Sequence, residues 1–274
     1  RRRRKIFAIK TILVLLLLMG LAFLFSWLSK MPSIQIENIE ISGNLTVSKD
    51  EIINLIKTET SAKYFKLFSK NSVFLYPKES IEAKLADDFK RIETVSIKSK
   101  GLKTLIVNMV ERKPDSLWCF IGAKDGATRK NNNSGMCYFL DKGGLVFSEA
   151  PDFSGNSFLR HYGLLDDIEQ PIGENYMTSE KFKEVSRFIN SLEILGIKVA
   201  TFRAESESDY EIDLKNGIKI ILDDKKPFDK TLENIQSILS EVDLKGDYSS
   251  NNPPKINYVD CQCKEDIKTS IIGG

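Results

Sequence analysis

Ile34-Gln35-Ile36-Glu37-Asn38-Ile39-Glu40-Ile41-Ser42-Gly43-Asn44 alternates apolar and polar residues, slips by one at Asn38, and closes on Gly-Asn. Period-two alternation belongs to a strand with one buried face, and a one-residue slip is what a β-bulge produces. Downstream, Ser48-Lys49-Asp50-Glu51 fits a capping box, and Ile52, Ile53, Leu55 and Ile56 give the following helix an apolar face. A polar and aromatic connection runs from Thr58 to Tyr76. Pro77 then suits the first turn of a second helix, with Ile81, Leu85 and Phe89, joined by Ala86, as its buried stripe. Two strands come next: Val95 and Ile97 alternate with polar residues, Gly101 turns the chain, and Leu105, Val107 and Met109 alternate up to Glu111-Arg112-Lys113-Pro114. Pro114 ends the last strand because it has no amide to give a ladder. Strand, helix, helix, strand, strand is an α+β layer with two helices on one face of a small sheet.

Upstream, the chain opens Arg1-Arg2-Arg3-Arg4-Lys5 and carries no charge from Thr11 to Leu28. An apolar run of roughly 20 residues crosses a hydrocarbon core of about 30 Å as a helix. Lys10 can carry its ammonium to the headgroups, and Trp27 and Lys30 suit the opposite interface. The basic start holds that end in the cytoplasm by the positive-inside rule, so the bulk of the chain lies outside. A cleaved signal peptide fits less well, since Phe25-Ser26-Trp27-Leu28 ends the run in bulk with no small-residue cleavage site. A start at Arg1 rather than Met implies further cytoplasmic tail before it.

The formal net charge of +2 hides an asymmetry. Six of the 40 basic residues precede Thr11 and every acidic residue comes after Leu28, leaving 34 basic against 38 acidic residues, net −4. A mildly acidic outer region has no concentrated basic face for nucleic acid, so no nucleic-acid partner is expected. Apolar residues make up 42% of the chain, enough for one large outer domain or two smaller ones.

After Pro114, Leu117-Trp118-Cys119-Phe120-Ile121 reads as a strand, and a polar loop from Gly122 to Gly135 leads to Met136–Phe147, where Asp141-Lys142-Gly143-Gly144 turns a hairpin. A loop-like stretch spans Ser148 to Asn175. A helix near Thr178–Leu195 aligns Phe182, Val185, Phe188, Ile189 and Leu192, and Gly196 caps it. Strands are expected at Lys198–Ala204, Tyr210–Leu214 and Ile218–Leu222, the last two joined by Asn216-Gly217. A helix at about Lys230–Val242 and a final strand from Lys255 to Cys263 complete the pattern.

An Ile-rich strand, Gly43-Asn44, Ser48–Ile53 and a strand ending Glu111-Arg112-Lys113-Pro114, directly after one anchor, resembles the POTRA domain of the FtsQ/DivIB division proteins. Phe139–Phe147 is similar to the element opening that family's β domain, and the later order of hairpin, helix and final strand is also similar. The resemblance implies a cytoplasmic basic tail at 1–10, a single N-terminal transmembrane helix at 11–30, a POTRA domain (βααββ) at 33–115, a mixed β domain with flanking helices at 116–268 and a flexible C-terminus at 269–274.

No catalytic constellation stands out. His161 is the one histidine, it falls in the loop-like stretch, and an ordinary surface role is expected for it. The acidic pairs Asp87-Asp88, Asp166-Asp167 and Asp223-Asp224 fit solvated turns and helix ends, and no phosphate-binding loop or nucleophile elbow is present. No cofactor, no metal and no enzymatic activity are therefore expected. An anchored hydrolase would need turnover on wall fragments to revive it.

The cysteines carry more. Cys119 and Cys137 lie on two apolar strands flanking one loop. If they face the same side, a disulfide could stabilise the fold by roughly 3 kcal/mol; buried free thiols are the other reading. Cys261 and Cys263, two apart on the final strand, could be packed thiols, a vicinal pair or partners of the first two, and their spacing does not suit zinc.

The resemblance implies a non-catalytic divisome scaffold in the bacterial cell membrane, at the division septum. It would hold single-pass coiled-coil division proteins of the FtsB/FtsL type and link them to the septal peptidoglycan synthesis machinery. The family's partner contact lies on its last strand, which maps to Tyr258, Asp260, Gln262, Cys263 and Glu265. Asp260 fits the family pattern, while Gln262 and Cys263 stand where it carries an arginine and an aromatic residue, so the chemistry of the contact is altered. A closing core strand is the plainer reading of Tyr258–Cys263. The alternative function is a membrane-anchored peptidoglycan-binding or adhesion module; an outer-membrane translocator is not expected, since no run of alternating barrel strands follows.

Overall fold

A computed structural model of the chain describes residues 2–120, 135–152, 157–165, 170–223, 226–238, 256–260 and 268–271. It divides into two compact units, Arg1–Arg112 and Lys113–Gly274.

The first unit begins with α1 (Arg2–Leu28), of which Arg3–Leu28 is long and apolar enough to cross a membrane. A short 3-10 turn at Pro32–Ile34 leads to β1 (Asn38–Ser42). The strand is shorter than the alternation suggested, and the slip at Asn38 has a physical cause. The amides of Glu37 and Asn38 both donate to the Lys103 carbonyl, at 2.9 and 3.1 Å, a two-against-one arrangement of the kind that makes a bulge. Before that point Gln35 bridges to Ser72; after it β1 runs parallel to a later strand.

Helix α2 spans Lys49–Ser61 and α3 spans Lys78–Asp88. The capping box is not formed: Ser48 precedes α2, but its hydroxyl makes no capping hydrogen bond. Pro77 sits one position before α3 rather than in its first turn, and Ala86 is exposed rather than part of the buried stripe. Between the helices the expected connection contains a small hairpin, β2 (Lys63–Tyr64) and β3 (Phe68–Ser69). β4 (Ile92–Lys100) and β5 (Thr104–Glu111) are antiparallel, and the sheet order is β1-β5-β4. Ile52, Ile56, Ile81 and Leu85 from the helices share one core with Ile97, Leu105, Val107 and Met109. The helices therefore cover the face that the alternation of β5 predicts.

The second unit is a nine-stranded mixed sheet. Its strands are β6 (Ser116–Cys119), β7 (Cys137–Leu140), β8 (Val146–Ala150), β9 (Arg160–Gly163), β10 (Val199–Ala204), β11 (Asp209–Leu214), β12 (Lys219–Asp223), β13 (Ile256–Asp260) and β14 (Lys268–Ile271). They are ordered β14-β13-β12-β11-β10-β9-β6-β7-β8. Helix α4 (Ser179–Ile194) lays Phe182, Val185, Phe188, Ile189 and Leu192 onto one sheet face, with α5 (Phe228–Ile238) beside it. Thr178 caps α4 by accepting the Lys181 amide at 3.4 Å.

The alternation of β6 reads through to both faces. Trp118 joins the α4 core and donates its indole N–H to the Gly163 carbonyl at 3.0 Å. Leu117 and Cys119 join a smaller cluster with Phe139 and Phe147 on the other face. The segment expected to be a loop from Ser148 contains β9, and β9 joins β6 to β10 by parallel pairing on both sides.

Candidate functional site

The residues that the resemblance implied for a partner contact fall on β13 and just beyond it. β13 pairs in parallel with β12, matching Tyr258 to Lys219 and Asp260 to Ile221, and the Val259 side chain is fully buried in the core. Its other side is also taken. β14 pairs antiparallel to it, with Tyr258 opposite Ser270 and Asp260 opposite Lys268. β13 is therefore not the outermost strand among the described residues, and Lys268–Ile271 forms a further strand beside it. The sheet edge belongs to β14, whose backbone groups on the far side have no strand partner among the described residues. Of the five residues named for this contact, Tyr258 and Asp260 lie on β13; Gln262, Cys263 and Glu265 fall outside the described residues. So do Cys261, residues 121–134, which take in most of the expected polar loop, Asp166-Asp167 and Asp224.

Cys119 and Cys137 lie directly opposite in the β6–β7 register and are joined by a disulfide, with Cα atoms 4.1 Å apart. It closes the hairpin beside Phe139 and Phe147.

His161 is the clearest departure from expectation. It is on β9, 1% exposed, with Tyr176, Phe182 and Phe202 around its ring at centroid distances of 5.4 to 5.5 Å. Burial pushes its pKa down to about 3, so the ring is neutral, and Nδ1 has no hydrogen-bond partner among the described residues. Its surroundings among the described residues are the rings of core side chains, the packing of a core residue rather than of a surface one. Among the described residues no group of three or more His, Cys, Asp or Glu is placed to hold a metal ion. Asp87 forms an exposed ion pair with Lys90.

The first unit explains its own signature residues. Gly43 has φ +85°, and a Cβ there would lie 1.9 Å from the Met109 carbonyl oxygen, so the close approach of β1 to β5 requires glycine. Glu111, 7% exposed, accepts the amides of Leu45, Thr46 and Val47 on one oxygen at 2.6, 2.8 and 3.0 Å. Burial alone would raise its pKa, but these amides hold it below the usual carboxylate value. Arg112 donates to the Lys90 carbonyl at 3.0 Å, tying the end of β5 to the turn after α3.

Residues 34–112 match the family model described as POTRA domain, FtsQ-type. The first unit carries an FtsQ-type POTRA domain. The match ends where that unit ends, at Arg112, and covers β1, the two helices and the β4–β5 pair. This supports the resemblance to FtsQ/DivIB proteins. A POTRA domain of this type goes with a scaffold role in cell division, generally a non-catalytic one. No curated protein matches the chain.

Proposed function

We propose that the protein is a membrane-anchored divisome scaffold, with α1 spanning the cell membrane and both folded units outside it. The observation that carries this reading is the FtsQ-type POTRA domain beginning at residue 34, six positions after an apolar helix that ends at Leu28. On this reading the basic residues before the span stay in the cytoplasm, and the protein acts at the division septum. It recruits single-pass coiled-coil division proteins of the FtsB/FtsL type and links them to septal wall synthesis.

The partner joins at the C-terminal edge of the large sheet. An edge strand offers unpaired amides and carbonyls on which a partner segment can add as a further strand. The outer strand β14 offers that ladder, with β13, which carries Tyr258 and Asp260, one strand in.

Two truncations of the full chain test the proposal by capture of detergent-solubilised coiled-coil division proteins. Removing residues 267–274 takes away β14 and is expected to weaken capture, and removing 255–274 to abolish it, with the POTRA domain still folded. Undiminished capture by the longer truncation would sink the edge-binding reading. Normal septation in cells lacking the protein would sink the divisome reading as a whole.

A further inference from the structure

The β2–β3 hairpin turns through Tyr64-Phe65-Lys66-Leu67, closed by the Leu67 amide on the Tyr64 carbonyl at 2.9 Å. Phe65 and Lys66 have φ of +50° and +61°. Such a turn normally takes asparagine and glycine, because large side chains are strained there. The outcome is a phenylalanine held 88% exposed at the tip, with Leu67 46% exposed beside it. Neither serves the POTRA core.

This tip is fastened to the end of α1. The Ser26 hydroxyl donates to the Leu67 carbonyl at 2.6 Å, and the Ser69 amide donates to the Ser29 hydroxyl at 3.2 Å. Both serines are buried by the contact, whereas the other described residues of α1 are exposed. The hairpin therefore sits at the height of the last helical turn, alongside the exposed Trp27 and Leu28. Phe74, 69% exposed, belongs to the same end of the domain, since the neighbouring Val73 amide donates to the Ile34 carbonyl at 2.9 Å.

The charge of the segment is one-sided. Lys63, Lys66 and Lys70 surround the tip and no acidic residue occurs between Ser61 and Glu79, in a chain whose outer part is net negative. Lys70 lies over the Tyr64 ring at 4.9 Å, which brings a cation and an aromatic face together. Aromatic residues interleaved with lysines, at the level where an apolar helix ends, match the bilayer interface, where rings sit among headgroups and ammonium groups meet lipid phosphates.

We propose that the β2–β3 hairpin is a second membrane contact, inserting Phe65 and Leu67 into the headgroup region of the leaflet from which α1 emerges. It rests on the reading of α1 as a membrane span. The Ser26 and Ser29 hydrogen bonds hold the hairpin against the helix end, and a lipid contact at its tip fixes in addition which face of the POTRA domain points away from the bilayer.

The full chain in nanodiscs of phosphatidylcholine and phosphatidylglycerol, with acyl chains brominated near the headgroup, tests this through tryptophan quenching. Trp118 is buried, so the parent protein reports on Trp27 and hence on insertion of α1. Phe65→Trp adds a reporter at the tip, and Leu45→Trp adds one at the opposite end of β1, where Leu45 is 90% exposed. The added emission of Phe65→Trp is expected to shift to the blue and lose intensity with brominated lipid, and that of Leu45→Trp to do neither. Quenching of the parent without added quenching in Phe65→Trp, or equal quenching in both variants, overturns the hairpin contact and leaves the span standing. An unquenched parent overturns the span itself, and the hairpin contact with it.

Discussion

The Glu111 carboxylate holds the Thr46 amide at 2.8 Å across a sequence separation of 65 residues, and so locks the loop after β1 to the end of β5. Neighbouring amides of Leu45 and Val47 share the same oxygen. Three N–H groups on one buried charge form an anion-binding concavity made by the loop's own backbone.

Glu111→Gln keeps the shape and removes the charge, so each of the three bonds becomes a neutral one. The loss is expected to be about 1.5–3 kcal/mol of POTRA stability, measured by chemical denaturation at neutral pH. Because the folded pKa is depressed, the contribution is present above the ordinary carboxylate pKa and is lost as pH falls through the folded value. The parent's excess stability over Glu111→Gln should accordingly shrink on acidification from about pH 5 downward.

Gly43→Ala tests the close approach of β1 to β5. The new methyl meets the Met109 carbonyl oxygen, and φ of +85° is strained for alanine even without that clash. Destabilisation of more than about 2 kcal/mol is expected, with loss of protection of the β1 and β5 amides in hydrogen exchange.

His161 makes the second unit acid-sensitive. Its folded pKa of about 3 lies below the ordinary value of 6.5, so between these values the unfolded chain binds the extra proton. Stability is therefore flat above about pH 6.5 and falls as pH drops, at up to about 1.4 kcal/mol per unit. His161→Phe should remove that slope, read from the unfolding transition of the Trp118 environment between about pH 4 and pH 7. An unchanged slope in the variant would assign the acid sensitivity elsewhere.

Reducing the Cys119–Cys137 bond, or replacing both residues with alanine, should lower the stability of the second unit by roughly 3 kcal/mol. The POTRA transition should not move, because the bond lies outside Arg1–Arg112. Thermal melts with and without reductant, tracking both units separately, check this.

The sequence carried most of the first unit, because its elements obey simple periods: Leu105, Val107 and Met109 alternate, and Ile52 and Ile56 recur on one helical face. What it concealed was of three kinds. The β2–β3 hairpin is two residues per strand, too short for any period to show. β9 is four residues long and includes the chain's single histidine, a residue type whose chemistry suggests the surface. Only the walls supplied by Tyr176, Phe182 and Phe202, all distant in sequence, make it a core residue. At the C-terminus, Lys268-Thr269-Ser270-Ile271 offers a largely polar pattern, and its strand state depends on β13 as template. Read without β14, the final recognisable strand is β13, and the residues expected for the partner contact fall on it and just beyond it.

The pairing of β1 with β5 has a consequence for how the chain is made. Ile39 lies opposite Leu105, so a nascent chain carries β1 without its partner while another 66 residues are synthesised. At ~5–20 residues per second this is a delay of roughly 3 to 13 s. During it the Ile-rich strand is a sticky segment tethered to an apolar helix, and the arrival of β5 ends the exposure. The POTRA domain thus closes on its last residues rather than its first, and a ribosome stalled before them would display an open sheet edge to its neighbours.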